Sequence, residues 1–240
     1  MRWRQILAQV EERSRSLGFD LVGALPIGAY NRIVDESARI ADLGDAKNLA
    51  LVIANTKTLW PAFVRYLRQN PGYLQRPDPL DRYVESSLSA MFAELPVRAE
   101  LRWAHKPEPA HVSMQTLAQL AGIGYKSDSN LVVHPVYGQW IALRAVAMLP
   151  VHGPDEAFEW TDPPCAACRT GCGAALATAL AGEGHPAGHA TTRESWMSWV
   201  AIRDACPLGK AHRYSEEQIR YHYTKDIRLL EASVQGEHLL

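Results

Sequence analysis

The chain has 240 residues, enough for one domain with a sizeable core and short for two. Hydrophobic residues make up 47% and charged residues 21%, which excludes a disordered or fibrous chain. Lys plus Arg number 25 against 26 Asp plus Glu, and the formal net charge of −1 offers no broad basic field for nucleic acid.

In chain order, Trp3, Ile6, Leu7, Val10 and Leu17 recur at helical spacing before Gly18, so residues 3–17 read as an amphipathic helix. Residues 19–25 read as a strand. Residues 49–54 form a short apolar run too brief for a typical helix, which fits a strand buried on both faces. Residues 60–67 read as helix. A loop punctuated by Pro71, Gly72, Pro77 and Pro79 leads to a helix ending near Leu95, and residues 97–103 alternate as a strand. After Lys106-Pro107-Glu108-Pro109 comes a helix over 112–121. Residues 131–134 and 140–149 read as two strands of a hairpin with a longer loop. Past Pro150 the texture changes, and a soft boundary separates a core at 1–155 from a cysteine-bearing and helical segment at 156–240, both in one compact unit. A Gly/His-rich stretch spans 182–189, and two helices finish the chain, one over 193–203 and one from Glu216 capped by Ser215, with Gln218 completing a capping box. Helices and strands without a regular βαβ rhythm predict α+β, one sheet with helices packed on it. No apolar stretch approaches the roughly 18 residues of a membrane span, and the expected location is cytoplasmic.

All four cysteines lie in the last third, as Cys165-Ala166-Ala167-Cys168-Arg169-Thr170-Gly171-Cys172 and Cys206-Pro207. Three thiolates on a tight turn plus a distant fourth followed by proline suit a [4Fe–4S] cluster, although the second spacing is one residue longer than in the bacterial ferredoxin run. Zinc, or reduced buried thiols without metal, are the alternatives. Arg144 interrupts an otherwise core-like strand, so its guanidinium must find either an internal carboxylate or a ligand's anionic group. Arg203 shares a helix face with Trp196, Trp199 and Val200. No His-Glu-x-x-His occurs; Pro186 and Gly188 keep His185 and His189 off one helix, and His134 and His111 are weak ligand candidates. A Walker loop, a Gly-x-Gly-x-x-Gly fingerprint (Gly122-Ile123-Gly124 is a fragment) and a Gly-x-Ser-x-Gly elbow are all absent.

Several stretches resemble the cobalamin-processing CblC proteins: Gly18-Phe19-Asp20, Gly28-Ala29-Tyr30-Asn31, Asp78 to Val84, Gln115-Thr116 with Ala121-Gly122, and most of all His134 to Arg144 and Arg213 to Gln218. The resemblance implies a flavin-nitroreductase-like α+β fold and binding of vitamin B12 with its lower base displaced. It also implies reductive removal of the upper cyanide or alkyl ligand with glutathione or reduced flavin. Arg144, Arg203 and Arg228 fall where that family holds glutathione, with Tyr214 in the same region. Gln119 and Asp128 stand where the family has a histidine and a glutamine. Residues 108–125 are similar to epoxyqueuosine reductases, which hold B12 beside [4Fe–4S] clusters; that likeness places Glu108 at their catalytic acid and Cys206-Pro207 at a cluster ligand. The implied partners are cobalamin and an electron donor such as ferredoxin, flavin or glutathione, with the chain a monomer or homodimer. Two further roles stay open at this point, a B12-trafficking carrier with structural cysteines and a B12-dependent reductase of an organic substrate that uses Glu108 as proton donor.

Overall fold

A computed structural model describes residues 2–106, 112–166, 168, 171–182 and 196–236. Helix α1 (Trp3–Ser16) buries Ile6, Val10 and Ser14, one face at helical spacing. It stops because Gly18 takes φ 87°, while Phe19 N–H donates to Ser14 O at 3.0 Å and Gly18 N–H to Arg15 O at 3.1 Å, a Schellman ending.

Strand β1 (Leu21–Pro26) follows, then the short helix α2 (Ile27–Asn31) and strand β2 (Asn48–Asn55), which is buried at every position. Strands β3 (Glu100–Trp103) and β6 (Ala142–His152) complete a four-stranded antiparallel sheet in the order β1-β2-β6-β3. The two central strands divide their side chains between two cores. Leu49, Leu51 and Ile53 of β2 with Ala145, Ala147 and Leu149 of β6 face α1, α3 (Leu59–Gln69), α4 (Pro79–Ala93) and α9 (Ile227–Gln235). Ala50, Val52 and Ala54 with Val146 and Met148 face α2 and α5 (Met114–Leu120). Two apolar faces are what turn an alternating strand into an unbroken apolar run. The architecture is α+β, as the sequence predicts. Tyr221, Leu229 and Leu230 from the C-terminal helices belong to the same core as Ile6 and Val10.

Four expectations change. Residues 131–134 and 140–149 are not hairpin partners: β5 (Val132–Val133) pairs with β4 (Tyr125–Lys126) in a separate ribbon, and β6 pairs with β2 and β3. The turn between them keeps only a bridge from His134 to Gly138, because Asn130 at φ 59° has already turned the chain back on β4. Among the described residues there are consequently two sheets rather than one. The apolar, alanine-rich α6 (Cys172–Gly182) has no amphipathic period to betray it. The last helix is two: α8 (Glu216–Thr224) ends where Lys225 takes φ 55°, and Asp226 caps α9 by accepting Arg228 N–H. Helix α7 (Trp196–Asp204) and the Ser215 cap, accepting Gln218 N–H at 3.3 Å, are as expected. Residues 183–189 of the Gly/His-rich stretch, with His185 and His189, and residues 107–111, with Glu108 and His111, lie outside the described residues. Among the described residues no helix is long and apolar enough to cross a membrane.

One close approach fixes how α5 sits on the sheet. A Cβ at Gly23 of β1 would stand 2.5 Å from Ala121 O and 2.8 Å from Ala121 Cβ. Gly23→Ala is therefore expected to cost about 1–3 kcal/mol by overpacking, read as a lower urea midpoint at unchanged m. An unchanged midpoint would show that α5 can shift freely on β1.

Candidate functional site

At the start of β6, the sheet, α5 and α7 enclose a cleft of about 310 Å³, lined among others by Met114, Gln115, Leu131, Gln139, Leu143 and Arg203. Most of its wall is apolar, with few polar groups, as cofactor and small-molecule sites usually are. Ala104 and Val112, which flank the segment containing Glu108, also line it. Gln139 is 1% exposed; its Nε2 donates to Ser129 Oγ at 3.0 Å, and its Oε1 is buried without a partner.

Behind the cleft lies a basic cluster. Arg144, on β6, is buried, and its Nε donates to Asn55 Oδ1 at 2.6 Å while its Nη2 has no partner. Asn55 is neutral, and no ion pair among the described residues involves Arg144, so the internal carboxylate expected as one alternative is not there. Burial lowers the Arg144 pKa, the direction for a cation out of water. Tyr214 OH donates to Asn55 O at 3.4 Å, and its ring lies 5.4 Å from Trp140 and 5.8 Å from His222. Burial pushes the Tyr214 phenol up to about 12, against the pull of Arg203 and Arg144, so it stays a protonated donor at neutral pH. His222 is held well below the usual histidine value, first by burial and then by Arg144, Lys225 and Arg203. Arg144, Arg203 and His222 thus act on one another with no ion pair to a carboxylate among the described residues, while Asp81 acts on Arg144 from farther off; the arrangement favours an anion.

Arg203, on α7, donates from Nη1 to Gln139 O and, at 3.2 Å, to Ile141 O, and from Nε to Tyr223 OH at 3.3 Å. Its guanidinium also lies 5.9 Å from the Trp140 ring centroid. Arg228 does not join Arg144 and Arg203. Its side chain is 77% exposed and its Nη2 lies 2.6 Å from Asp226 Oδ2, because Asp226 caps the same helix. Gln119 Oε1 accepts Lys126 N–H at 3.0 Å and so ties α5 to β4. Asp128 is exposed on the turn before β5 and faces the cysteine segment, its Cβ 3.4 Å from where a Cβ on Gly173 would be.

The four cysteines form no disulfide, and they lie close enough to act on one another. Burial, then Cys168, Cys206 and Cys172, and last Asp128, push the Cys165 thiol up to about 11. Cys172 opens α6 and Cys206 follows α7, and those two helices pack together. Burial raises the Cys206 pKa most, the backbone N–H groups of Leu208 and Gln139 pull it down, and the Cys172 and Cys168 thiols add to the rise. A donor set of four thiols is chemically that of an iron–sulfur or zinc site. Among the described residues no group of three or more His, Cys, Asp or Glu is already arranged as a metal site.

Asn55, Gln139, Trp140 and His222 are the site residues that the sequence reading missed. Asn55 alone left a trace, a polar residue at the end of a fully apolar strand. A larger cavity of about 640 Å³ lies across the sheet, with Arg13, Arg65, Tyr66 and Tyr83 in its lining. Its arginines are engaged, Arg13 with Glu94 at 3.3 Å and Arg65 with Ser16 O at 3.3 Å, and it holds no buried unpartnered atom.

The neutral His222 predicts a pH effect. Its folded pKa lies below the unfolded value near 6.5, so as pH falls through about 6.5 the unfolded chain takes up a proton that the native chain refuses, and stability drops. His222→Gln is expected to lose less thermal stability than the parent between pH 7 and 5.5. Parallel losses in both proteins would place the titration elsewhere.

No protein-family model matches the chain. It is 23% identical over 246 residues to the cyanocobalamin reductase / alkylcobalamin dealkylase of Danio rerio, covering 93% of this chain and 90% of that protein. It is also 23% identical over 255 residues to the Mus musculus protein of the same name, covering 98% and 85%. Among solved structures, the C. elegans B12-trafficking protein CblC superposes with a TM-score of 0.66 at 19% identity over 99% of this chain and 98% of that one. The epoxyqueuosine reductase of Streptococcus thermophilus matches with a TM-score of 0.54 at 12% identity over 96% and 80%. The sequence resemblance is thus recovered by both sequence and fold, and the fold is that of CblC.

Proposed function

We propose that the chain binds cobalamin base-off and reductively removes its upper axial ligand. The observation that carries this reading is the similarity, along nearly the whole chain, to two proteins named for that reaction, with a B12-trafficking protein among the fold neighbours. The cleft at the start of β6 would take one edge of the corrin against Met114, Leu131 and Leu143, with polar Gln115 and Gln139 at hand for the corrin's amides. No Asp-x-His-x-x-Gly sequence occurs, and no histidine is among the described residues lining the cleft, so none of those residues replaces the displaced base. A cobalt with one axial ligand fewer is easier to reduce, because the incoming electron enters an orbital directed along that axis. One electron delivered to the Co(III) of cyanocobalamin leaves Co(II) and releases cyanide. For an alkyl group, attack by a thiolate forms a thioether and leaves Co(I).

Arg144 supplies the anchor for the reductant. Its buried Nη2 lacks a partner, and Tyr214 and His222 stand beside it, which fits a carboxylate of glutathione; reduced flavin or a ferredoxin would serve cyanide removal alone. Cys165, Cys168, Cys172 and Cys206 are the residues to hold one [4Fe–4S] cluster, whose chemistry when bound is single-electron supply. Glu108 is the proposed proton donor if the substrate is organic, in the manner of the epoxyqueuosine reductases.

The test is turnover without oxygen: cyanocobalamin, the protein and a reductant should release one cyanide per cobalamin, at a rate well above that without protein. Binding without release would assign the chain to the second reading, a B12 carrier, which the name of its C. elegans fold neighbour favours.

A further inference from the structure

We propose that Gln139 sets the specificity of the cleft for corrinoids whose ring substituents are amides, through one fixed carbonyl oxygen that accepts an amide N–H. The inference rests on the cobalamin reading above and adds to it the peripheral chemistry that the cleft selects.

The orientation of the Gln139 amide follows from a count of hydroxyl protons. Ser127 Oγ donates to Leu131 O at 2.8 Å, which uses its only hydrogen. The 2.9 Å bond between Ser127 Oγ and Ser129 Oγ is then donated by Ser129. Ser129 Oγ is left with lone pairs alone, so the group that faces it at 3.0 Å is the Gln139 amide nitrogen. That nitrogen also reaches Ser127 Oγ at 3.4 Å, and Oε1 is left buried with no partner among the described residues. Turning the amide round would either break the Ser127 bond to Leu131 O or set a carbonyl against lone pairs. Both serines are buried on the turn between β4 and β5, which closes from Asn130 N–H to Ser127 O at 2.9 Å with Asn130 at φ 59°.

The main chain of the same residue is held independently. Arg203 Nη1 donates to Gln139 O and, at 3.2 Å, to Ile141 O, two carbonyls that precede β6, whose pairing with β2 begins at Ala142. A side chain gripped at its nitrogen and a backbone gripped at its carbonyl preorganise the acceptor in a wall that Gln139 shares with Asn130, Leu131 and Val132. A primary amide on the corrin rim supplies the missing N–H. A carboxylate in its place sets lone pairs against lone pairs and leaves Oε1 unpaired, and a site built around a buried polar group rejects that kind of mismatch.

The experiment compares cobinamide, whose corrin side chains are all amides, with cobyrinic acid, whose corrin side chains are all carboxylates. Both are used as aquo forms in equilibrium dialysis at fixed ionic strength. The ratio of the two affinities should favour cobinamide in the parent and fall about 5- to 150-fold in Gln139→Met. Ser129→Ala should lower the same ratio, although Ser129 is not among the residues lining the cleft, because the released amide can turn its NH2 toward a carboxylate. A parent that prefers cobyrinic acid, or a ratio that Gln139→Met leaves unchanged while both affinities move together or not at all, would overturn the proposal and leave the cobalamin reading intact. Failure of the parent to bind either cobinamide or cobalamin removes that reading, and the proposal with it. If Gln139→Met does not fold, Ser129→Ala decides on the same ratio.

Discussion

Arg144→Met is expected to fold with stability within about 2 kcal/mol of the parent and to bind glutathione about 10- to 150-fold more weakly. The two halves follow from one geometry. Removing a buried guanidinium that makes no ion pair among the described residues relieves a desolvation penalty, and well-packed apolar replacement even of buried ion pairs is worth up to about 1–4 kcal/mol. Against this, Asn55 Oδ1 loses its donor at 2.6 Å, and an unsatisfied buried acceptor costs about 1–3 kcal/mol. These nearly cancel. Hydrogen bonds to a charged ligand are worth about 1.5–3 kcal/mol, and that loss falls wholly on binding. Urea unfolding and isothermal titration separate the two; a loss of 3 kcal/mol or more in stability with affinity intact would make Arg144 a structural residue.

Cys206→Ala is expected to abolish cluster binding. The parent, purified without oxygen, should be brown with about four iron per chain. The variant should be colourless, because the chain has only four cysteines and no other can take the place of Cys206. The fold should survive, since Cys206 belongs to neither of the two cores packed on the sheet. Zinc in place of iron, or no metal after anaerobic reconstitution of the parent, would return the four thiols to a structural role.

What the sequence made legible was local and periodic. The spacing of Ile6 and Val10, the stop at Gly18, the apolar run of β2 and the Ser215 cap are each set within a few residues, and each is present. Pairing is a property of two distant segments, which is why 131–134 and 140–149 read as neighbours although β6 pairs with β2 and β3. Helix α6 gave no signal because alanine on every face leaves no period to detect. In the site, Arg144 was visible as a charge inside an apolar strand and proved to be buried with an unpartnered nitrogen. His222 was not visible, because a histidine on an amphipathic helix looks solvated until α8 packs it beside Tyr214 and Tyr221. Arg228 looked equivalent to Arg144 in sequence, but its position at the start of α9 gives it to Asp226.

The most direct test of the central claim is a spectral titration of cobalamin with the purified chain. Binding with displacement of the lower base predicts a saturable shift of the visible absorption from the base-on to the base-off form. A spectrum that stays base-on, with no retention of cobalamin in equilibrium dialysis at micromolar concentration, would contradict the account.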